Sequence, residues 1–534
     1  MHSRKKTEWL GRLAPWGFFA LKILVSIYSL HRYMPHYLRL TYIADGPARG
    51  IEAFNLAYGD FGVFKTYQFL PMQIWLWAGL LKIYPDVYWT GTALNVAFAA
   101  GTTVLLYLLG RELAGPAAGA LAAVLFIFSP VHHCLTISEG MAESIFFFWN
   151  AAGIYAAARA AREGRGEWVA GLCFGAAALT RYESAALLIL YSAYRLFRAR
   201  PRSAGGWLLW AAPLAAVAVV LGHKAMLAAH VGVRHDLAGV KGDSELVLPG
   251  ALWYERVAYG LTRVWRDGRV FGLLGAAGFF LVWLRGIRNE SRLLIWGGLA
   301  ALLVGVSTVF AVVGLGLGPE RHFSIILMFL FPFAGLTVTE AWRRARGLAL
   351  KIVLIVLLAA AGAYTVYFDS AIKDYGYGFP GPCYSCMTVD AELALKLRDL
   401  WRSGELGPDE IIYMEQNDGN FSNYPIQAYS NRPRNFYVSP AYQSERDLWY
   451  LDYIMETNGF RVAIFVNAVT RHQLKSFYRA LGKKYVIYET PAHSLVVRRD
   501  GWPRGLPDFR SARHPRQSRV VDYGSPDAVI KRTP

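Results

Sequence analysis

Ionisable residues interrupt an otherwise apolar sequence at a few places, and those places are where chemistry would be done. Asp45 lies in YIADGPARG, Lys65 in FKTYQ, Glu139 and Glu143 in SEGMAES, Arg181 and Glu183 in LTRYESA, and Arg321 and His322 in GPERHFS. Ionisable groups at membrane depth are costly and suggest function by default. A carboxylate can take a proton or help hold a divalent metal ion. Glu139 and Glu143, four residues apart, would share a face if a helix begins early enough. An arginine matches phosphate or carboxylate oxygens with two parallel hydrogen bonds. Plainer roles stand beside these. Asp45 can stabilise a turn beside Gly46 and Pro47. Arg321 and His322 can anchor a helix end at the interface, and Arg181 can pair with Glu183 or reach toward head groups. There is no His/Cys ligand cluster, so a structural zinc site is not expected.

The surrounding sequence says what must position these groups. The chain has 534 residues with 54% apolar and only 18% charged, a deficit against the roughly 25% charged of soluble domains. The deficit ends near Asp369. Before it, charges come in short clusters between long apolar runs; after it, composition is that of a soluble protein. A crossing helix needs about 20 apolar residues. Suitable spans run near 15–33, 88–109, 113–130, 141–160, 167–180, 184–198, 206–229, 270–284, 292–314, 323–340 and 348–367, which predicts about eleven transmembrane helices. The run Phe69–Ile83 is short for a span and reads as an interfacial or re-entrant helix, and Gly50–Tyr58 has helical spacing too. The outer loop 34–87 therefore carries two surface helices.

Charge sets the orientation. Lys and Arg collect on the cytoplasmic side of membrane proteins. With Arg4, Lys5, Lys6 and Arg12 inside, the clusters at Arg111, Arg162–Arg165, Arg195–Arg202, Arg285–Arg292 and Arg343–Arg346 all fall on the same side. The net charge of +18 is thus a topology signal, and nucleic acid is not an expected partner. Asp45, Glu139, Glu143, Arg181, Glu183, Arg321 and His322 then gather at the opposite, outer face. The expected location is a plasma (inner) membrane, N-terminus cytoplasmic, with the C-terminal domain periplasmic or, more generally, exoplasmic.

That domain, residues 369–500, changes period. A helix is predicted at Glu392–Trp401 and strands at Glu410–Met414, Arg461–Val466, Lys484–Tyr488 and Ser494–Val497. Helices are predicted between them at Leu448–Asn458 and Thr470–Leu481. The alternation predicts a soluble α/β domain, and Asn417–Tyr424 reads as a polar loop that either contacts an acceptor or is simply solvated. Residues 501–534, rich in Pro and Arg, are expected to be disordered. Cys383 and Cys386 would form a local disulfide on an oxidising side, and the first apolar segment reads as a retained anchor.

These segments resemble the GT-C class of integral-membrane glycosyltransferases, in particular the branch of protein O-mannosyltransferases and the lipid A aminoarabinose transferase. The resemblance covers about 35–345: Asp45 in YIADGPARGIEAFNLA, the stretch FLPMQIWLWAGLLKIYPDVYWTGTALNVAF, GRELAGPAAGALAAVLFIFSP followed by SEGMAESIFFFW, then ALTRYESAALLIL and GPERHFSIILMFLFPFAGL. The chain departs from the family in having Gly46 after Asp45 where an acidic pair is common, and Glu143 where the second acid is usually Asp.

The resemblance implies a GT-C-like membrane domain over 1–368 that moves a sugar from a polyprenyl-phosphate donor to a lipid, glycan or protein acceptor. An outward site agrees with a lipid-linked donor, since nucleotide sugars are cytoplasmic. Asp45 is then the candidate base, with inversion at the anomeric carbon. Arg321 is the first candidate for the donor phosphate, with His322, Arg181 and Lys65 behind it. Glu143, with Glu139 and Glu183, is left to orient the acceptor or bind a divalent metal. Competing readings are a transporter or flippase for an amphipathic lipid and a non-catalytic assembly subunit. Transporters commonly carry internal repeats and midplane sites; this sequence shows no convincing repeat, and its polar residues gather at one face.

Overall fold

The computed structural model describes residues 2–37, 45–59, 69–137, 140–163, 166–198, 204–231, 252–289, 324–370, 383–416, 423–440, 453–466, 471, 484–510, 518–521 and 531–532. It divides into two compact units. One comprises Met1–His31, Phe61–Leu76 and Thr92–Gly378, the other Arg32–Asp60, Trp77–Gly91 and Phe379–Pro534.

The first unit is helical. Its elements come from α1 (His2–Tyr37), α3 (Pro71–Leu81), α4 (Val87–Ala114), α5 (Pro116–Phe128), α6 (Pro130–Ile137), α7 (Glu143–Glu163), α8 (Glu167–Ala178), α9 (Glu183–Arg198), α10 (Ala204–Val231), α11 (Trp253–Asn289), α12 (Ser324–Arg344) and α13 (Leu348–Ser370). Every predicted span coincides with one of these except 292–314, which lies outside the described residues. Among the described residues, Leu13–His31, Val87–Ala114 and Ile325–Arg344 are long and apolar enough to cross a membrane. Pro116–Phe128 and Val131–Ile137, bent by 66°, add a fourth crossing if they form one broken span. The count of about eleven therefore leans on shorter apolar helices such as α8 and α9. The bend falls at Ser129–Pro130, where proline cannot continue the helix ladder. The predicted span 113–130 ends at this bend.

Small residues let the helices approach. A Cβ on Gly119 of α5 would run into the Tyr107 carbonyl of α4, and one on Gly278 of α11 into the Phe333 carbonyl of α12. Close backbone approach at glycine is how helices associate where lipid offers no hydrophobic drive. Thr337 of α12 adds a 2.7 Å hydrogen bond to the Leu274 carbonyl of α11.

The two ends of this bundle differ in charge. Arg162, at the C-terminus of α7, donates to Glu112 of α4 at 2.7 Å, and Arg343 of α12 donates to the Ala114 carbonyl at 3.3 Å. Three of the basic clusters thus meet at one end, as their assignment to one side requires. The N-terminus of α7, Glu143, lies at the other end, about 30 Å away at 1.5 Å per residue, which is the thickness of a bilayer core.

The second unit joins two stretches far apart in sequence. Its sheet has the order β2–β1–β3–β5–β4–β6–β7. The strands are β1 (Ile412–Gln416), β2 (Phe436–Pro440), β3 (Val462–Phe465), β4 (Tyr485–Glu489), β5 (Ser494–Arg498), β6 (Arg519–Val521) and β7 (Lys531–Arg532). β1 runs parallel to β2 and β3, and the remaining pairs are antiparallel. Helix α14 (Cys383–Arg402) buries Leu393, Leu397 and Trp401 with Ile412, Met414, Val462, Ile464, Val486 and Val497. Of the predicted helix at 448–458, Tyr453–Thr457 forms a single π-helical turn and Asn458 a bend, while 448–452 lie outside the described residues, as does the predicted helix at 470–481 apart from Arg471.

Within the tail expected to be disordered, the structure describes 501–510, 518–521 and 531–532. Trp502 and Phe509 enter the core, and β6 and β7 extend the sheet beyond β4. Apolar anchors spaced along a Pro/Arg-rich stretch are enough to hold it, since loops and edge strands tolerate proline and charge. The outer loop also departs from its expected place in the membrane domain. Helix α2 (Asp45–Tyr58) packs on α15 (Asn423–Tyr429). Asp86 accepts from Arg398 at 3.2 Å and from the Trp89 amide at 3.1 Å. The Asn431 side chain accepts from the Val87 amide at 3.0 Å, and Tyr88 meets Tyr429 edge-on at 5.7 Å. Asn431 has φ 57°, a left-handed conformation that asparagine tolerates better than most residues.

Candidate functional site

At the end of the helical unit away from the basic clusters, three of the expected residues meet. The carbonyl of Gly140, itself at φ 65°, accepts from Gln73 Nε2 at 2.7 Å, and α7 then starts at Glu143. Helix α8 ends at Ala178, the Leu179 carbonyl accepts from the Met72 amide at 3.1 Å, and α9 starts at Glu183. Ser184 Oγ donates to Asn150 Oδ1 at 2.8 Å, tying α9 to α7. Arg181 lies between the helices. It donates from Nη1 to Glu143 Oε1 at 2.7 Å and from Nη2 to Glu183 Oε1 at 2.8 Å, with Nε also on Glu183. Its guanidinium stands 5.4 Å from the centre of the Phe146 ring.

All three side chains are largely buried, with exposures of 12% for Arg181, 2% for Glu143 and 13% for Glu183. Both carboxylates sit in the first turn of their helices, where the positive end of the helix dipole favours a negative charge. Two carboxylates share one guanidinium, so the cluster carries a formal charge of −1 and fixes the direction in which Glu143 points. Both edges of the Arg181 guanidinium thus rest on carboxylates. Among the described residues no group of three His, Cys, Asp or Glu side chains is placed to hold a metal.

The other expected residues are not brought into view together. Asp45 opens α2, in the second unit, and its side chain lies outside the description. Lys65, Glu139, Arg321 and His322 also lie outside the described residues. Helix α7 begins at Glu143, after a turn at 140–142. The sequence reading passed over Gln73, Asn150 and Ser184, which brace the cluster. Polar residues recurring within apolar helices were their signal.

Residues 70–223, which contain this cluster, match the sequence profile of the dolichyl-phosphate-mannose-protein mannosyltransferase family. The fold matches the crystal structure of ArnT from Cupriavidus metallidurans bound to undecaprenyl phosphate, with TM-score 0.56 and 13% identity, over 93% of this chain and 100% of that one. Residues 70–223 thus carry the signature of that family, and the fold as a whole is similar to that of ArnT. Apo ArnT from the same organism matches with TM-score 0.50 and 13% identity, over 87% of this chain and 94% of that one. The oligosaccharyltransferase AglB from Archaeoglobus fulgidus, in complex with an inhibitory peptide and a dolichol-phosphate, matches at TM-score 0.48 and 12% identity, over 96% and 76% of the two chains. It is too distant to argue from. No curated protein sequence matches. The family match over 70–223 and the long apolar helices support an integral-membrane helical unit.

Proposed function

We propose that the chain transfers a sugar from a polyprenyl-phosphate donor to a lipid, glycan or protein acceptor at the exoplasmic face, with inversion at the anomeric carbon. The observation that carries this reading is the buried Glu143–Arg181–Glu183 cluster, inside the family-matching region and one bilayer away from the basic end. If the basic end is cytoplasmic, the cluster is exoplasmic, and nucleotide sugars made in the cytoplasm cannot serve it directly. Undecaprenyl phosphate in the ArnT crystal structure supports a lipid carrier of that class.

In this reading the acceptor hydroxyl attacks the anomeric carbon while a carboxylate takes its proton. The bond between that carbon and the phosphate oxygen breaks, and polyprenyl phosphate leaves with the electron pair. Asp45 is the proposed base. Glu143, held by Arg181, orients the acceptor through its fixed carboxylate. Arg321 and His322 are proposed to meet the developing charge on the leaving phosphate, with Lys65 as a further cation. Residues 383–532 share a compact unit with α2, so the C-terminal domain lies on the same side as Asp45 and is proposed to help admit the acceptor.

The test uses the purified full chain, radiolabelled polyprenyl-phosphate sugars and a membrane extract as acceptor source. Label should move in wild type and not in Asp45→Asn. Equal transfer by both would remove Asp45 from the chemistry, and absence of transfer from every donor would count against the reading as a whole.

A further inference from the structure

The sequence places α3 along the membrane surface, yet Ile74, Trp77 and Leu81 have no exposed surface. What is exposed is the turn that follows. Lys82, Ile83, Tyr84 and Pro85 are all exposed, and Ile83, at 81%, is the most exposed large apolar side chain among the described residues. Tyr84 is 55% exposed, and Tyr58 and Trp89 are 42% and 39% exposed. Hydrogen bonds gather these four at one corner of the second unit. The Tyr58 hydroxyl donates to the Leu81 carbonyl, and the Asp86 amide donates to the Tyr84 carbonyl at 2.9 Å. Asp86 in turn accepts from the Trp89 amide. Two cations flank the corner. Lys82 belongs to the turn itself. A Cβ on Gly59 would run into the Arg434 guanidinium, so the exposed Arg434 lies against the end of α2, next to Tyr58.

Depth decides what covers this corner. Helix α4 runs 28 residues from Val87 to Ala114 and carries Arg111 in its last turn, at the end where Arg162 meets Glu112. Counted back from Arg111, a hydrocarbon core of about 30 Å takes about 20 residues and ends near Gly91. Val87 and Trp89 then stand at headgroup level, with the turn 82–85 directly before them. Tyrosine and tryptophan concentrate at that level, and lysine and arginine reach lipid phosphates from it. Leu24, in the crossing segment Leu13–His31, is 63% exposed, so Ile83 is at least as bare as a side chain that meets lipid. An exposed isoleucine among aromatic rings, flanked by two cations, is complementary to a bilayer interface and not to water.

We propose that Tyr58, Ile83, Tyr84 and Trp89, with Lys82 and Arg434, dock the second unit on the phospholipid surface. The apolar side chains enter the interface, and the two cations meet anionic headgroups. This surface lies outside the sugar-transfer chemistry and does not depend on it. Because Tyr58 ties α2 to the turn, the same contact sets the level of α2 at the bilayer.

The test places photoreactive benzoylphenylalanine at position 83 of the full chain, reconstituted in vesicles of phosphatidylcholine and phosphatidylglycerol with one or the other radiolabelled. Ile83 is so exposed that the exchange leaves the core untouched, and Tyr84 gives a second probe position. Irradiation should give lipid adducts at both positions in yields comparable with a probe at Leu24. Phosphatidylglycerol should be favoured over phosphatidylcholine by about fivefold or more, the factor that one nearby cation supplies. Lys82→Gln combined with Arg434→Gln should abolish that preference and keep the adducts. A probe at Leu24 that labels lipid while those at Ile83 and Tyr84 label only protein, or nothing, would overturn the docking surface. Equal labelling of the two lipids would overturn the part given to Lys82 and Arg434.

Discussion

Arg181 and Glu143 are joined by a 2.7 Å hydrogen bond across 38 residues of sequence, and Glu143 exposes only 2% of its side chain. The same guanidinium reaches Glu183 from the opposite edge. Neither contact is a surface ion pair, so removing one partner leaves a charge that water cannot reach. The cluster is fixed from three directions: the turn at Gly140, the end of α8, and the Asn150–Ser184 bridge between α7 and α9.

Arg181→Met should therefore destabilise the full chain by about 3–5 kcal/mol, the usual cost of orphaning a buried charge. Adding Glu143→Gln should recover part of that loss, because the double variant buries fewer unmatched charges. Thermal unfolding in detergent gives both numbers. Additive losses from the two substitutions would mean that the residues are not coupled.

The bond between Asp86 and Arg398 makes a second, independent prediction. Asp86 serves both Arg398 and the first turn of α4, whereas Arg398 serves only one of these roles. Asp86→Ala should cost more than Arg398→Met, the difference being about 1 kcal/mol for the lost helix cap. Equal losses in thermal unfolding would remove the capping role.

Much of this architecture was legible because the membrane imposes it. Long apolar runs bounded by arginines gave the positions of α4, α7, α12 and α13 to within a few residues. The break before Pro130 is signalled by the proline itself, and the predicted span 113–130 ends there. In the C-terminal domain β1, β3, β4 and β5 are apolar runs and were visible. β2 was not, since Phe436–Pro440 follows a stretch crowded with proline and arginine, and its partner β1 lies twenty residues earlier. The pairing of Arg181 with Glu183 was within reach of local reasoning. Its pairing with Glu143 depends on how α7 and α9 pack, which no local pattern encodes.

In the C-terminal domain, His493 Nε2 lies 2.5 Å from Asp390 Oδ1, with 0% and 1% of the two side chains exposed. Thr490 Oγ1 is 3.3 Å from the other ring nitrogen, but it also receives the amides of Ala492 and His493. That hydroxyl is a turn cap, and the trio is structural. Asp390→Ala should lower stability by about 3–5 kcal/mol with sugar transfer per folded molecule unchanged. Loss of transfer at full stability would give the trio a chemical role instead.

Acid should act on the same domain through Asp508. Burial alone would raise its carboxyl, but hydrogen bonds and charge from Arg510 hold it below the ordinary value. A lowered folded value means that the stabilisation is complete above the unfolded value near 3.9 and is lost as pH falls through the folded one. Asp508→Asn should lower stability slightly at neutral pH and make the decline below about pH 4 shallower. Identical pH profiles for wild type and variant would show that Asp508 does not contribute.

The most direct measurement compares the rate of sugar transfer from a radiolabelled polyprenyl-phosphate donor by wild type and Glu143→Gln, each shown to be folded by its melting temperature. Transfer by wild type with a loss of about 100-fold or more in Glu143→Gln is the expected result, the scale on which a positioned carboxylate acts. Equal rates in two folded proteins would contradict the central claim that the Glu143–Arg181–Glu183 cluster belongs to the transfer site.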